Sequence, residues 1–188
     1  LEGNSMTVPQ PFLVLATQNP IEQEGTYPLP EAQLDRYLLK VLIEYPQADD
    51  ELRMVRQISE GRVGDALDTS AVSALAGPES ILAMQQQAAA IRVDEAVARY
   101  AVELVRQTRD WPGISAGAGP RGGLALLRAA RAQALLNGRD FVTPDDIKQM
   151  VPPALRHRIT LAPEMELEGR TADQMLFGVL DRVAAPRT

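Results

Sequence analysis

The spacing of apolar residues changes at Pro46, and this change limits the folds that the chain can adopt. Upstream of Pro46, apolar residues form two short runs, residues 12–16 and residues 37–43, and only Lys40 interrupts the second. Short apolar runs bounded by proline or polar residues are typical of strands buried on both faces of a parallel sheet. Downstream, apolar residues recur at helical spacing. We therefore predict a mixed α/β fold, in which part of a parallel sheet precedes a bundle of helices.

Capping residues mark where the predicted helices begin and end. Asp94 and Thr143 precede helical stripes, and their side chains can accept hydrogen bonds from the first free N–H groups of a helix. Asn137 and Gly138 are typical of a helix end. The predicted elements are helices over residues 31–36, 49–59 and 78–91, a helix capped by Asp94, a helix over residues 120–137, a helix capped by Thr143, a helix over residues 171–183, an extended piece near residues 157–161 and a linker at residues 65–77.

The composition excludes several kinds of site. The chain has no cysteine and one histidine, which excludes disulfides, thiolate metal sites, a cysteine nucleophile and a histidine-rich metal centre. We therefore predict no metal site built from the residues of this chain. The sequence shows no apolar run of about 18 residues and no signal peptide, so we predict a cytoplasmic protein without a membrane segment. The formal net charge of −6 argues against a broad nucleic-acid surface.

Two polar residues near the predicted strands are candidates for contact with a ligand. Asn19 follows the first apolar run, and ligands of open α/β sheets bind beyond the carboxyl ends of strands. The alternative is that Asn19 belongs to an ordinary strand-to-loop turn. Arg36 ends a short predicted helix and directly precedes the second apolar run, so we expect its side chain to point outward from the sheet edge. The alternative for Arg36 is a local ion pair with Asp35 or Glu31.

Arg121 is a third candidate, and a charge argument supports it. It lies in the first turn of the helix that begins at Pro120, where the helix dipole disfavours a cation by roughly 0.3–1 kcal/mol. A cation in this place indicates that an anion binds nearby. The flanking glycines, Gly119, Gly122 and Gly123, leave room for that anion or for another backbone. The alternative is an arginine that extends into solvent.

The sequence contains no phosphate-binding loop. Such a loop has the pattern Gly-x-x-x-x-Gly-Lys-Ser/Thr, and neither lysine of the chain, Lys40 or Lys148, follows a glycine. Asp94 and Glu95 after an apolar stretch resemble a magnesium-binding acidic pair, but the helical stripe downstream makes Asp94 a helix cap. His157 has no nucleophile or second histidine beside it, and we interpret it as structural.

Several long motifs resemble the MoxR family of AAA+ ATPases. They are FLVLATQNP at residues 12–20, YPLPEAQLDRY at residues 27–37, GPRGGLALLRAAR at residues 119–131, GRDFVTPDD at residues 138–146 and LRHR at residues 155–158. The resemblance covers nearly the whole chain, and the motifs have the order and spacing of the family. The Walker A and Walker B motifs of the family have no counterpart in this sequence. The chain therefore resembles the C-terminal part of such a protein.

The resemblance implies a role for each candidate residue. Asn19 matches sensor 1, which orients the attacking water against the γ-phosphate. Arg36 matches the arginine finger, which reaches the nucleotide of the neighbouring subunit, and Tyr37 stands where phenylalanine is common after the finger. Arg121 matches sensor 2, which contacts the nucleotide of its own subunit. ATP and Mg²⁺ are then the implied cofactors, bound mainly by residues that this chain lacks.

The same resemblance implies two domains and a class of activity. Residues 1–65 match the C-terminal part of the AAA+ core, and residues 66–188 match its all-helical lid domain. The whole protein is expected to form a homo-oligomeric ring, a hexamer, that couples ATP hydrolysis to chaperone-like remodelling or maturation of a client or von Willebrand A-domain partner. The isolated chain is expected to be inactive.

Two other classes of protein stay open. One is a helical adaptor with no ATP-linked role, and the set of Asn19, Arg36 and Arg121 argues against it because a scaffold has no use for such a set. The other is a DNA-acting AAA+ relative, and the sequence pI of about 4.9 argues against it.

Overall fold

The chain is mostly helical in the part that the structure describes, which is residues 7–18, 29–59 and 72–186 of a computed structural model. Within these residues the elements are, in order, α1 (Glu31–Leu34), α2 (Ala48–Ser59), α3 (Pro78–Ala90), α4 (Glu95–Gln107), β1 (Ile114–Ala116), α5 (Pro120–Leu136), α6 (Pro144–Leu155), β2 (Thr160–Leu161), α7 (Pro163–Leu167) and α8 (Ala172–Arg182). None of these helices is both long enough and apolar enough to cross a membrane.

Contacts divide the chain into two units. The smaller is Val41–Gly77, and the larger combines Leu1–Lys40 with Pro78–Thr188. The smaller unit contains α2, whose first turn carries three acidic residues that complement the positive end of the helix dipole. The predicted domain boundary at residue 65 falls within residues 60–71, which lie outside the described residues.

The predicted helix caps of the larger unit are confirmed. Asp94 Oδ1 accepts a hydrogen bond from Ala96 N at 2.8 Å, at the start of α4. Thr143 and Asp146 form a reciprocal capping box at the start of α6, and a second capping box begins α8. Helix α5 ends with Asn137 as its C-cap. Short-range capping therefore sets the helix boundaries that the sequence predicted.

A buried ion pair, which the sequence did not predict, fixes the start of α6. Asp146 is only 2% exposed, and the Arg139 guanidinium donates to both of its oxygens, at 2.6 and 2.7 Å. Burial by itself would raise the pKa of Asp146. The hydrogen bonds from Arg139 and Thr143 outweigh burial and hold that pKa below its usual range. The carboxylate of Asp146 therefore stays ionised, and it keeps both its ion pair with Arg139 and its hydrogen bonds to Thr143 in the capping box.

The core of the larger unit lies among α4, α5, α6 and α8. Its largest fully buried apolar side chains come from all four helices, namely Leu104, Leu126, Ile147, Leu155 and Leu176. Helices α5 and α6 pack closely at Gly122, where a Cβ atom would stand 2.9 Å from Leu155 Cδ2. Because aromatic residues are scarce, aliphatic side chains and alanine supply most of this packing.

A short antiparallel sheet connects the loop before α5 to the segment after α6. Ile114 pairs with Leu161, and Ala116 pairs with Thr160. The Ser115 hydroxyl donates to the carbonyls on the opposite strand. Strand β2 lies inside the extended piece predicted near residues 157–161. Strand β1 and helix α7 were not predicted, because three and five residues are too few to show a periodic pattern.

The two predicted parallel strands are wrong as strands in the described residues. Residues 12–16 are exposed rather than buried, and residues 37–43 form no ladder. A strand needs a neighbour to bind its backbone N–H and C=O groups, and none of the segments that the structure describes pairs with either run. Helix α1 is also shorter than predicted: it ends at Leu34, and Pro30 is its N-cap rather than its first residue.

Candidate functional site

Arg36 lies in the turn that follows α1, with its side chain exposed. No ion pair joins it to any residue that the structure describes. The two carboxylates proposed as local partners are engaged elsewhere, since Asp35 pairs with Arg158 and Glu31 Oε1 accepts a hydrogen bond from Thr160 Oγ1 at 3.0 Å. The described contacts therefore give no support to a local ion pair of Arg36.

Arg158 holds the backbone of the same turn. Its Nε donates to Asp35 Oδ1 at 2.9 Å, and its Nη2 donates to the carbonyls of Asp35 and Tyr37 at 2.9 and 2.6 Å. Its Nη1 donates to the carbonyl of Leu38 at 3.1 Å and to that of Ala154. The Arg158 side chain is only 3% exposed. All five N–H groups of this buried guanidinium are therefore bound.

His157 contacts the same carbonyl as Arg158. Its Nε2 lies 3.0 Å from Tyr37 O and 2.9 Å from Arg158 Nη1. Because both protons of Nη1 already reach carbonyls, His157 Nε2 carries the ring proton and donates to Tyr37 O. Burial, chiefly, lowers the pKa of His157, and the charges of Arg158 and Lys40 act in the same direction, against the bond to Tyr37 and the charge of Asp35. The ring is therefore neutral near pH 7.

Arg156 extends the contact to Lys40. Its Nε and Nη2 pair with both oxygens of Asp173, at 3.0 and 2.9 Å, and its Nη1 donates to Lys40 O at 3.2 Å. The Lys40 N–H donates to Pro153 O at 2.8 Å, which satisfies one of the carbonyls left free at the end of α6. We call residues 156–158 the docking triplet, because together they bind the segment formed by residues 35–40.

Arg121 contacts the same turn from α5. Its Nη1 lies 3.6 Å from Asp35 Oδ2, and its side chain is 60% exposed, so this ion pair is weak. The first turn of α5 contains no acidic residue. A Cβ atom added at Gly119 would meet nothing within 4 Å, so open space adjoins the start of α5, whereas Gly122 faces the core. This open space beside an exposed cation fits an anionic group.

Arg121 forms a weak ion pair with Asp35, the residue that precedes Arg36 in the chain. A cleft of about 430 Å³ adjoins this carboxylate, between α1, residues 116–119 and residues 156–160. Asn19 lies outside the described residues. In the part of the chain that the structure describes, no group of three or more acidic or histidine side chains could hold a metal ion. The charged residues that line the cleft are Glu31, Asp35, Lys40, Arg156 and Arg158, and neither Arg36 nor Arg121 is among them.

The docking triplet was not predicted as part of the site. The sequence did contain a signal, because basic residues at the C-terminal end of a helix can bind the free carbonyls and complement the dipole there. Local sequence does not indicate that Arg158 is buried, since its partner Asp35 lies 123 positions upstream.

Two protein-family descriptions match the chain. The family described as "AAA lid domain" matches residues 106–176, which contain Arg121 and the docking triplet. The family described as "ATPase family associated with various cellular activities (AAA)" matches residues 1–39, which contain Arg36. Two parts of one kind of ATPase therefore match this chain, in order.

Individual proteins agree with the family matches. The chain is 39% identical over 186 residues to the uncharacterized protein YeaC of Bacillus subtilis, covering 99% of this chain and 57% of YeaC. It is 35% identical over 198 residues to Chaperone MoxR1 of Mycobacterium tuberculosis, covering 98% of this chain and 50% of the relative.

A solved structure is similar as well. A crystal structure of a proposed ATPase from Cytophaga hutchinsonii matches with a TM-score of 0.87 and 35% identity, over 98% of this chain and 58% of that one. These matches confirm the predicted fold class, a helical lid preceded by part of an AAA+ core. The chain spans about half of the length of the curated relatives it matches. It belongs to the MoxR family of AAA+ ATPases.

Proposed function

We propose that the chain is part of a ring-forming ATPase that couples ATP hydrolysis to chaperone-like remodelling or maturation of partner proteins. The family is one of ATPases, and one relative is named a chaperone. Because the sequence has no phosphate-binding loop, we propose that the residues that bind the phosphates lie outside this sequence. Residues 1–65 then supply the end of the ATPase core, and residues 66–188 supply the lid. A hexameric ring and a von Willebrand A-domain partner stay predictions from the resemblance.

In this proposal, the hydrolysed ATP lies between two subunits. Arg36 of one subunit binds the γ-phosphoryl group held by its neighbour, Arg121 binds the phosphates held by its own subunit, and Asn19 orients the attacking water. The water oxygen bonds to the γ-phosphorus while the bond to the bridging oxygen breaks, so ADP leaves with that electron pair. The two guanidinium groups stabilise the charge that spreads over the transferred group. Mg²⁺ would enter with the phosphates and neutralise part of the same charge.

One observation carries the proposal. The Arg36 guanidinium is exposed and has no partner in the described residues, while the backbone on both sides of Arg36 is held by buried Arg158. An exposed arginine on a mobile surface would give up conformational entropy when it bound a phosphate. Hydrogen bonds that already fix the backbone of Arg36 reduce this entropy loss. A residue that must reach the nucleotide of another subunit benefits from such a fixed position.

Removal of the Arg36 side chain tests the proposal in the full-length protein. We expect Arg36→Ala to lower ATP turnover by about 10³-fold or more, since arginine fingers contribute about 10³–10⁵ to turnover, while ATP binding stays near wild type. The matched control is Arg92→Ala. Arg92 is 75% exposed and pairs with Asp140 at 3.0 Å, and loss of such a surface pair should leave turnover nearly unchanged. Wild-type turnover of Arg36→Ala, or its failure to fold, would contradict the proposal.

A further inference from the structure

We propose that Arg158 is a positioning residue for Arg36, so that the lid of one subunit sets the finger that acts on the nucleotide of the next. This inference rests on the proposed function and deepens it. Nothing in the sequence motifs or the family matches assigns a role to Arg158. The residue follows the C-cap of α6, in the part of the chain that matches the lid domain, while most of its partners lie in the turn after α1.

The burial of Arg158 indicates a specific task. A buried guanidinium is costly unless its charge is paired and each N–H is bound. Arg158 meets both conditions, because Asp35 pairs with it and its five donors are used. Four of the five hydrogen bonds end on Asp35, Tyr37 or Leu38, and one ends on Ala154 in the last turn of α6.

The bonds of Arg158 surround Arg36 in sequence. They reach the residue before it and the two residues after it. Within the turn, Arg36 N donates to Gln33 O at 3.1 Å, and Tyr37 N donates to Leu34 O at 3.0 Å. The backbone of Arg36 is thus fixed from both sides, while its side chain stays exposed. The direction in which the finger leaves the surface therefore depends on Arg158.

Lysine cannot replace Arg158 in this arrangement. An ammonium group has three donors at one point, whereas the guanidinium spreads five donors over a plane and so reaches three carbonyls of the turn and one carboxylate oxygen at once. We expect Arg158→Lys to keep the positive charge and to lose the hold on the turn. If the finger is displaced by about 1 Å, turnover should fall by about 10²-fold while the KM for ATP changes little.

Mixed rings distinguish positioning of the finger from a local role in the lid. Arg121 lies in the same lid but is proposed to serve the nucleotide of its own subunit, whereas Arg36 serves that of the neighbour. If Arg158 acts through Arg36, subunits with Arg158→Lys should regain activity when mixed with Arg121→Ala subunits. The Arg158→Lys subunit supplies an intact Arg121 at its own nucleotide, and the Arg121→Ala subunit supplies a correctly placed Arg36. The Arg158→Lys subunits should gain nothing from Arg36→Ala subunits, since both variants lack a working finger. Arg92→Lys makes the same substitution at an exposed pair, and we expect wild-type turnover from it.

The remaining outcomes overturn the inference. The inference fails if Arg158→Lys subunits regain ATPase activity when mixed with Arg36→Ala subunits, whether or not they also regain it with Arg121→Ala subunits. It also fails if they regain activity with neither variant, because Arg158 would then not act through the finger. A mixture of Arg36→Ala with Arg121→Ala serves as the reference. If that mixture stays inactive, the proposed function itself fails, and the role of Arg158 fails with it.

Amide hydrogen exchange in the intact protein separates a local effect from unfolding. In Arg158→Lys, we expect the N–H groups of Tyr37 and Lys40 to exchange about tenfold faster or more, because the turn opens locally, while Leu126 in the core of α5 is unchanged. Equal acceleration at all three positions would make Arg158 a general structural residue and would overturn the inference.

Discussion

His157 is the only histidine in the chain, and its half-buried ring donates to the carbonyl of Tyr37 beside the proposed finger. Its Nδ1 atom is buried and has no hydrogen-bond partner among the described residues. Arg158 and Lys40 face the ring with positive charge, and Asp35 faces it with negative charge. Burial and the two cations together lower the pKa of His157, so the folded state disfavours the imidazolium form.

This lowered pKa predicts a pH dependence of stability. The contribution of neutral His157 is fully present above its pKa in the unfolded chain, about 6.5, and is lost as the pH falls through the lower folded pKa. We expect the free energy of unfolding to decrease between about pH 7 and about pH 5, and to decrease less in His157→Gln, whose amide can keep the donor to Tyr37. Urea unfolding followed by fluorescence of Trp111, the single tryptophan, measures both slopes. Equal slopes would show that His157 does not titrate in this range.

At the residue scale, local sequence selected the two exposed arginines as candidates and did not select the buried one. Arg121 became a candidate because its charge opposes the dipole of α5, and Arg36 because of its place between a helix and an apolar run. Both arguments use local sequence alone. Arg158 lies in a short basic stretch that ordinarily stays in solvent, and its burial depends on a carboxylate 123 positions away. Local pattern carries no information about such a partner.

At the element scale, the crossing of α5 and α6 depends on the lack of a side chain at Gly122. A Cβ atom there would lie 2.9 Å from Leu155 Cδ2 and 3.3 Å from Ala118 Cβ, and Leu155 is fully buried, so it has little freedom to move. The next residue, Gly123, has open space at the corresponding position. The two glycines therefore form a matched pair for substitution by alanine.

We expect the two substitutions to change stability in opposite directions. Gly123→Ala should raise the free energy of unfolding by about 0.5 kcal/mol, because alanine favours the helix. Gly122→Ala should lower it by about 1–2 kcal/mol, because overpacking against Leu155 exceeds that gain. Denaturant unfolding of both variants, compared with wild type, measures the difference. If Gly122→Ala were as stable as Gly123→Ala, the close approach of α5 and α6 would not depend on this glycine.

The long helices were predicted well, and the two parallel strands were not, for one physical reason. A helix satisfies its backbone within a single segment, so caps and periodicity suffice to place α4, α5, α6 and α8. A strand forms its backbone hydrogen bonds with a neighbouring strand, and local sequence does not show which segment that neighbour is. Residues 37 and 38 have strand-like composition, yet their carbonyls accept hydrogen bonds from Arg158 instead of from a neighbouring strand.

At the scale of the whole molecule, the proposed site is divided between subunits. One chain carries Arg36 in the residues that match the AAA ATPase family and Arg121 in those that match the lid domain. Arg36 follows Asp35 in the chain, and Arg121 forms a weak ion pair with Asp35, but we propose that the two arginines act on two different nucleotides. Such a division makes hydrolysis depend on assembly, because an isolated subunit has no finger at its own nucleotide.

The mixture of Arg36→Ala and Arg121→Ala subunits of the full-length protein tests this division most directly. Each variant alone lacks one group at every nucleotide, whereas some interfaces of a mixed ring pair an intact Arg121 with an intact Arg36 from the neighbour. We predict that the mixture hydrolyses ATP faster than the sum of the two variants measured separately at the same total concentration. A rate no greater than that sum, in rings shown to contain both variants, would contradict the assignment of Arg36 and Arg121 to different nucleotide sites.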